Sequence, residues 1–277
     1  MEPTILPAGV GATAIAIAAA REAEGRRPDR LFEDPLAGLF LAAAGRPTID
    51  TVGVLVDYVA VRTAFFDDYL LAAVAGGCRQ VVVLASGLDG RAFRLDWPAG
   101  MRVFELDLPA SLAFKERVLA ASGLAPRCDR RVVPADLCAD WGAILVAAGF
   151  TPGQPTAWLA EGIMSYLSEA DREQLMTTMA LLSAPGSRFA LESAGALLLR
   201  SPNPEGDNGL AAFAQEYRGL WHSTLPTEPT AWLERHGWRA DVQAPATVWR
   251  RHARPEPSLF AAGRAEGQGA WFMTASR

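Results

Sequence analysis

The chain has 277 residues, half of them apolar, and a formal net charge of −5. That length is sufficient for one large α/β domain, with or without an appended cap. The basic residues are dispersed and form no long Lys/Arg run, which argues against a nucleic-acid partner.

Cysteine and histidine give no indication of a metal centre. The cysteines are Cys78, Cys128 and Cys138, and their spacing is unlike that of metal ligands. An odd number of cysteines in a mid-sized enzyme is typical of reduced thiols, which favours a cytoplasmic protein. The histidines are also scattered, and all three follow residue 221. We therefore predict no metal.

The first apolar segment, 5–20, is rich in alanine and glycine. It is short and weakly hydrophobic for a membrane span, and no positive charge precedes it as in a secretory signal. We predict instead a buried or lid helix over 13–24, which Gly25 ends and Pro28 follows closely.

Helical patterns continue up to the first strand. Asp34-Pro35 suits a helix start, with proline in the first turn. A second long helical pattern covers 58–75. We therefore predict an N-terminal helical cap over 1–75 and a core over 76–277.

The rest of the chain is organised around a strand, a turn and a second strand within 80–107. The continuous apolar run 81–84 is typical of a central parallel strand buried on both faces. The small, glycine-bearing turn 85–90 lets the backbone approach a ligand closely. Asp107 follows the second strand, 102–106, about twenty residues beyond the turn, where a carboxylate can accept hydrogen bonds from ribose hydroxyls. This pattern predicts half of a nucleoside-binding Rossmann-type site, with candidate contacts at Ala85, Gly87, Glu105 and Asp107.

Asp89 discriminates between two nucleoside cofactors. In a dinucleotide site the turn faces a pyrophosphate, which the carboxylate of Asp89 would meet with like charge. S-adenosylmethionine has no phosphate and carries a sulfonium and an ammonium, so a carboxylate is tolerable there. Asp89 therefore favours S-adenosylmethionine over NAD, while the alternative is that it only caps the following helix.

Further strands and helices alternate along the remaining chain. Together with the first two strands they predict an α/β fold: a Rossmann-like, seven-stranded, mostly parallel sheet with helices on both faces. The turn-rich stretch 201–209 interrupts this pattern within a substrate-side insertion near 194–226, and it is either a mobile lid or a plain surface loop. The predicted strands are 130–134, 156–160, 187–193, 238–243 and 269–275, and the predicted helices are 109–122, 168–183 and 227–236.

One motif resembles the signature of a known family. The run Leu-Ala-Ser-Gly-Leu-Asp-Gly-Arg-Ala-Phe-Arg-Leu at 84–95 resembles the glycine-rich motif of the leucine carboxyl methyltransferase family, and in particular its bacterial branch with the tetracenomycin polyketide carboxyl methyltransferase. The resemblance covers about 10–195. Ala85 stands where the family has glycine and Gly90 where it has threonine, and because both residues are small we expect only a local adjustment of the turn. Further matching motifs occur in order at 26–37, 61–68, 105–109, 135–137 and 158–167.

The resemblance implies a site for the methionine half of the cofactor. By the family pattern, Arg62 binds the cofactor's carboxylate, for which a guanidinium offers a bidentate, charge-assisted pair. The alternative is a salt bridge from Arg62 to Asp67 or Asp68. The family places Glu161 near the same methionine moiety, and this carboxylate follows an apolar run, so it must find a donor or a cation.

The resemblance also implies a site for adenine. It assigns the exocyclic amine to the carboxylate of Asp136 and a ring nitrogen to the backbone amide of Leu137. The alternative is that Asp136 caps the next helix.

The predicted function is that of a class I S-adenosylmethionine-dependent O-methyltransferase acting on a small molecule of secondary metabolism. A carboxylate acceptor arrives ionised and needs no base, only a cationic seat such as Arg200 or Arg218, and we favour it over a hydroxyl acceptor. For a hydroxyl, His222 and Tyr166 are the candidate bases. The rival functions are an NAD-linked oxidoreductase and a non-catalytic cofactor-binding protein. The sequence does not indicate an oligomeric state.

Overall fold

Seven strands form one mixed sheet in the computed structural model, which describes residues 10–45, 54–193, 218–220, 228–257 and 271–277. The strand order is β3-β2-β1-β4-β5-β7-β6, with the first five strands parallel and β7 antiparallel to both of its neighbours. The predicted Rossmann-like sheet is therefore confirmed. The strands are β1 (Gln80–Leu84), β2 (Arg102–Asp107), β3 (Asp129–Pro134), β4 (Thr156–Ala160), β5 (Arg188–Ser193), β6 (Arg239–Gln243) and β7 (Trp271–Ser276).

Helices connect the strands and cover both faces of the sheet. Three of them precede β1, so the helical character predicted for the N-terminal segment is confirmed. The described helices are α1 (Val10–Gly25), α2 (Ala37–Ala43), α3 (Val54–Ala75), α4 (Arg91–Arg94), α5 (Pro109–Ser122), α6 (Trp141–Ala147), α7 (Glu169–Leu182), α8 (Pro229–Arg235) and α9 (Pro245–Arg251), with short 3₁₀ turns at Met164–Tyr166 and Arg218–Leu220.

The central strand β1 contributes to two separate cores. Val81 and Val83 lie in a cluster with α3 and α9, while Val82 and Leu84 lie in a cluster with α6, α7 and α8. This division follows from the alternation of side chains along a strand. It explains why β1 is an unbroken apolar run: both faces of this strand are buried.

The N-terminal helices are packed directly against the sheet and its first turn. Side chains of α3 share one core cluster with β1, β4 and β5. Phe40 of α2 and Phe114 of α5 belong to a third cluster, which also holds Leu88 of the turn after β1. The division into a cap over 1–75 and a core over 76–277 stays a prediction.

Local sequence signals account for several helix ends. Pro109 opens α5, and Gly123 closes it in the left-handed conformation, with φ 70°. The Ser168 hydroxyl caps α7 by accepting from the backbone N–H of Asp171. The sequence patterns did not identify the short helix α9.

Of the predicted insertion near 194–226, the structure describes only 218–220. The predicted lid at 201–209, Arg200 and His222 lie outside the described residues. Within the helices that are described, none combines the length and the apolar character needed to cross a bilayer.

Candidate functional site

A cavity of about 280 Å³ opens at the carboxyl edge of the parallel strands. It lies where the strand order reverses between β1 and β4, the place at which open α/β sheets bind ligands. Its wall takes residues from α1 and α3 and from the ends of β1 to β5. The predicted site residues on this wall are Arg62, Ala85, Gly87, Asp89, Asp107, Asp136, Leu137, Glu161 and Tyr166.

The turn after β1 forms the floor of this cavity, and two of its residues have left-handed backbone conformations. Gly87 has φ 47°, and a side chain there would also approach the Cβ of Ala14 on α1 to 3.4 Å. Ala85 has φ 49°, a conformation that costs an L-residue about 1–2 kcal/mol. The family glycine at this position would avoid that cost, so the departure at Ala85 carries a backbone penalty while the turn keeps its shape.

Position 90 requires a glycine because a neighbouring side chain comes close to its Cα, and not because of its backbone angle. A Cβ at this position would lie 2.6 Å from Oδ1 of Asp34, because the Asp34 carboxylate occupies that space. Arg21 of α1 holds this carboxylate at 2.8 Å and also donates to the carbonyl of Leu88 at 2.6 Å. The N-terminal helix is thus tied to the turn through a buried ion pair.

Asp107 joins the turn after β1 to the end of β2. Its two carboxylate oxygens accept from the backbone N–H groups of Gly87 at 2.5 Å and of Leu108 at 2.7 Å. Burial nevertheless raises the pKa of Asp107 above its ordinary value. The Ser111 side chain also donates to this carboxylate, which lines the cavity and can accept there from a hydroxyl group of a ligand.

Glu105 does not line the cavity. It lies two residues earlier on β2 and is 1% exposed. Its Oε2 is bound at 2.6 Å by both Nζ of Lys115 and the guanidinium of Arg130. Because Glu105 is buried and absent from the cavity wall, the structure does not support the predicted cofactor contact at this residue.

Arg62 forms ion pairs with carboxylates from two strands. Its Nε donates to Oε1 of Glu161 at 2.9 Å, and one terminal nitrogen lies 3.4 Å from Oε1 of Glu192. The alternative partners from the sequence were Asp67 and Asp68 on the same helix. Asp67 is bound instead by the guanidinium groups of α4, so this alternative for Arg62 was wrong.

Arg91 connects the Arg62 group to the turn after β1. It contacts Oε2 of Glu161 at 2.7 Å, Oδ1 of Asp67 at 2.7 Å, and the carboxylate of Asp89. Asp89 also accepts from the backbone N–H of Arg91 at 2.6 Å at the start of α4. Burial opposes the ionisation of Asp89, but Arg91, Lys115 and Arg94 together outweigh it and hold the pKa of this carboxyl at about 2. Asp89 therefore both anchors α4 and lines the cavity.

Glu192 differs electrostatically from its neighbour Glu161. Burial raises the pKa of both carboxyl groups, but Arg91 and Arg62 reverse this at Glu161 and leave its pKa below the ordinary value. At Glu192 burial prevails over Arg62, and the nearby Glu161 adds to it, so the pKa of Glu192 is raised to about 7. Its two oxygens accept from the backbone N–H of Gly162 at 3.0 and 3.1 Å.

Asp136 and Leu137 lie at the end of β3, on the opposite side of the cavity from Arg62. Asp136 is exposed, and its Oδ1 accepts from the backbone N–H of Cys138 at 2.9 Å. Helix α6 begins only at Trp141, so Asp136 does not cap it and that alternative was wrong. Leu137 is buried and adds apolar surface to the wall.

Sequence reasoning missed four charged groups on this wall, namely Arg21, Arg91, Arg94 and Glu192. Arg91 belongs to the glycine-rich motif, but no role was assigned to it. Glu192 stands near the end of a strand that the sequence predicted, and the rule that identified Glu161 applies to it equally. Within the described ranges, no group of three or more His, Cys, Asp or Glu side chains could hold a metal ion.

The chain is similar to known proteins along most of its length. A model of the leucine carboxyl methyltransferase family matches residues 14–180. A protein of Parafrankia sp. (strain EAN1pec) is 49% identical, covering 98% of this chain and 88% of its own length. A protein of Saccharopolyspora erythraea is 44% identical, covering 83% of this chain and 84% of its own. Both are named "Putative S-adenosyl-L-methionine-dependent methyltransferase".

Two solved structures share the fold at low sequence identity. A Thermobifida fusca protein described as a "putative methyltransferase" superposes with a TM-score of 0.53 at 19% identity, covering 94% of each chain. A DUF574 family protein from Streptomyces avermitilis gives a TM-score of 0.55 at 16% identity, covering 94% of this chain and 96% of its own.

Proposed function

The chain belongs to the leucine carboxyl methyltransferase family, and we propose that it transfers a methyl group to an oxygen atom of a small acceptor molecule. It is an S-adenosylmethionine-dependent methyltransferase. The sulfonium of that cofactor supplies an activated methyl group for in-line displacement. The choice of oxygen as nucleophile and the class of acceptor are the parts that we propose.

The observation that carries the proposal is the order of polar groups along one edge of the sheet. Asp136 ends β3 and Asp107 ends β2, while Arg62 and Glu161 meet at the end of β4. Along this edge, a carboxylate that can accept from an exocyclic amine is followed by a carboxylate that can accept from a diol, and then by an ion pair. This is the order of adenine, ribose and amino acid in the cofactor. This sequence of groups supports an adenosyl amino acid as the ligand.

The contribution of the protein to the chemistry is to orient the acceptor and to exclude water. The leaving group is already good, so positioning an oxygen behind the methyl group supplies most of the catalysis. Thr13, Ala14 and Ile17 of α1 line the cavity above the turn and help to exclude water from it.

A dinucleotide fits this site poorly. Asp89 stands on the cavity wall at the turn where a pyrophosphate would lie, and its pKa of about 2 keeps it charged. The helix that follows, Arg91–Arg94, has only four residues and therefore little dipole to bind a phosphate. Calorimetric titration with S-adenosylhomocysteine and with NAD tests this directly: binding of NAD alone would refute the proposed cofactor.

The acceptor is either a carboxylate or a hydroxyl group, and the two place different demands on the chain. Each of the four arginines described on the cavity wall, Arg21, Arg62, Arg91 and Arg94, is paired with a carboxylate. A carboxylate acceptor would thus need its cationic seat from the substrate-side insertion, where Arg200 and Arg218 remain the candidates. We retain the carboxylate as the first candidate because it needs no base.

A hydroxyl acceptor is the second candidate, because Tyr166, one of the two bases predicted from the sequence, lines the cavity. His222 stays a candidate base from the sequence.

The deciding experiment is methyl transfer from labelled cofactor to panels of carboxylic acids and phenols. Turnover is then followed from pH 6 to pH 8 at saturating cofactor. A carboxylate acceptor predicts a nearly flat rate, because its own pKa lies near 4. A hydroxyl acceptor predicts a rate that falls as pH decreases through the pKa of the base, and then His222→Ala or Tyr166→Phe identifies that base by a loss of about 10²-fold. If the protein binds the cofactor but transfers no methyl group to either panel, that result would contradict O-methylation of a small molecule.

A further inference from the structure

Seven charged groups beside the cofactor turn form one connected ion-pair cluster with unequal numbers of opposite charges. Three guanidinium groups are linked through direct contacts to four carboxylates. With every group ionised, the cluster carries one excess negative charge. Its members are Arg62, Arg91, Arg94, Asp67, Asp89, Glu161 and Glu192.

Glu192 is the carboxylate with the weakest cationic partner in this cluster. Asp67, Asp89 and Glu161 each have an arginine nitrogen within 2.9 Å. The arginine contact of Glu192, to Arg62, measures 3.4 Å. The excess charge of the cluster therefore resides mainly on Glu192.

The position of Glu192 is fixed, and its carboxylate faces the cavity. The backbone N–H of Gly162 contacts both oxygens, and the side chain is only 6% exposed while it lines the cavity wall. The titratable groups that face it are Arg62 and Tyr58 from α3 and Glu161 from the end of β4. Its register partner on β7 is the apolar Phe272.

We propose that Glu192 is the counterion for a cationic group on the amino-acid half of the cofactor. This inference rests on the proposed function and adds to it a residue that recognises charge. S-adenosylmethionine carries an ammonium, a sulfonium and a carboxylate, so its net charge of about +1 at neutral pH balances the excess of the cluster. The ammonium and the sulfonium are both cations with which the Glu192 carboxylate can pair. The ligands chosen for the test below distinguish between them.

Proton release on ligand binding follows from this pairing. With the site empty, the raised pKa of about 7 leaves Glu192 about half protonated at pH 7. A cation placed beside it favours the ionised form and expels that proton. Only the ionised fraction binds well, so affinity should be about fivefold weaker at pH 6 than at pH 7, an interval in which the ligand's ammonium stays mostly protonated.

The test is isothermal titration calorimetry on the full chain in two buffers with different ionisation enthalpies. The ligands are S-adenosylmethionine, S-adenosylhomocysteine, and the thioether analogue of the latter that lacks the amino group. The variants are Glu192→Gln, which preserves shape and an acceptor for Gly162, and the control Glu234→Gln, which changes an exposed side chain on α8.

We expect the wild type and Glu234→Gln to release about half a proton at pH 7, and Glu192→Gln to release none and to bind independently of pH. Release with both S-adenosyl ligands but not with the deaminated analogue identifies the ammonium. Release with S-adenosylmethionine alone identifies the sulfonium. If Glu192→Gln fails to fold, the three ligands on the wild type still decide.

Three results overturn the inference, and only the last also overturns the proposed function. Binding of the S-adenosyl ligands to the wild type without proton release removes the role of Glu192 and leaves the proposed cofactor intact. Unchanged proton release in Glu192→Gln assigns the titration to another group and also removes it. Failure of both S-adenosyl ligands to bind would refute the proposed function and this inference together.

Discussion

Replacing Glu192 by glutamine should change the free energy of unfolding in a pH-dependent way. The difference between the variant and the wild type should shift in favour of the variant as the pH rises. The folded protein holds the proton of Glu192 up to a pKa of about 7, whereas the ordinary pKa of this carboxyl, which applies in the unfolded chain, is 4.5. The stability that this protonated group contributes is fully present below about pH 4.5 and is lost as pH rises through about 7. Glutamine does not titrate, so the variant is free of this loss.

The size of the effect follows from the two pKa values. Each pKa unit corresponds to about 1.4 kcal/mol, and integration over the titration gives about 2.5 kcal/mol between pH 5 and pH 8. The gain of Glu192→Gln over the wild type in free energy of unfolding should increase by that amount across the interval.

Urea unfolding of both proteins at half-unit pH steps measures this difference, and other titrating groups cancel because the two proteins share them. Glu234→Gln serves as the control, since this exposed side chain on α8 should give a difference that does not vary with pH. A difference for Glu192→Gln that stays within about 0.5 kcal/mol from pH 5 to pH 8 would refute the electrostatic reasoning, because it would mean that Glu192 is ionised in the fold at its ordinary pKa.

Three further substitutions test the site and its support. Asp107→Asn should weaken S-adenosylhomocysteine binding by about 1–3 kcal/mol in calorimetry, since an amide cannot replace both acceptors; an unchanged affinity would exclude the ribose role. Gly90→Ala should lower the free energy of unfolding by about 1–3 kcal/mol, because its Cβ would overlap Asp34, whereas Gly219→Ala, in open space, should show no such loss; equal effects would contradict the close approach. Lys115→Met should cost about 3–5 kcal/mol in urea unfolding, because it leaves a buried carboxylate with one cation fewer, and a neutral result would show that Lys115 contributes nothing to that pair.

The sequence by itself determined the architecture because its signals there are local. The apolar run that became β1 and the proline that opens α5 act within a few residues of their own position. The ends of β2 and β3 follow from the same parallel-strand pattern. The family resemblance implied that Asp136 serves the same cofactor as Asp107, and the two residues lie on one cavity wall because parallel strands end at one edge.

The pairing of the charged groups was decided only by the tertiary structure. Arg62 finds Glu161 and Glu192 at separations of 99 and 130 residues, and no local spacing encodes those contacts. Glu105 and Asp107 stand on the same face of β2, yet only Asp107 reaches the cavity, because Glu105 lies one pleat deeper, against Lys115. Strand periodicity states which face a side chain occupies. How far it lies from the edge, and which charges surround it there, depends on elements that the chain brings in from elsewhere.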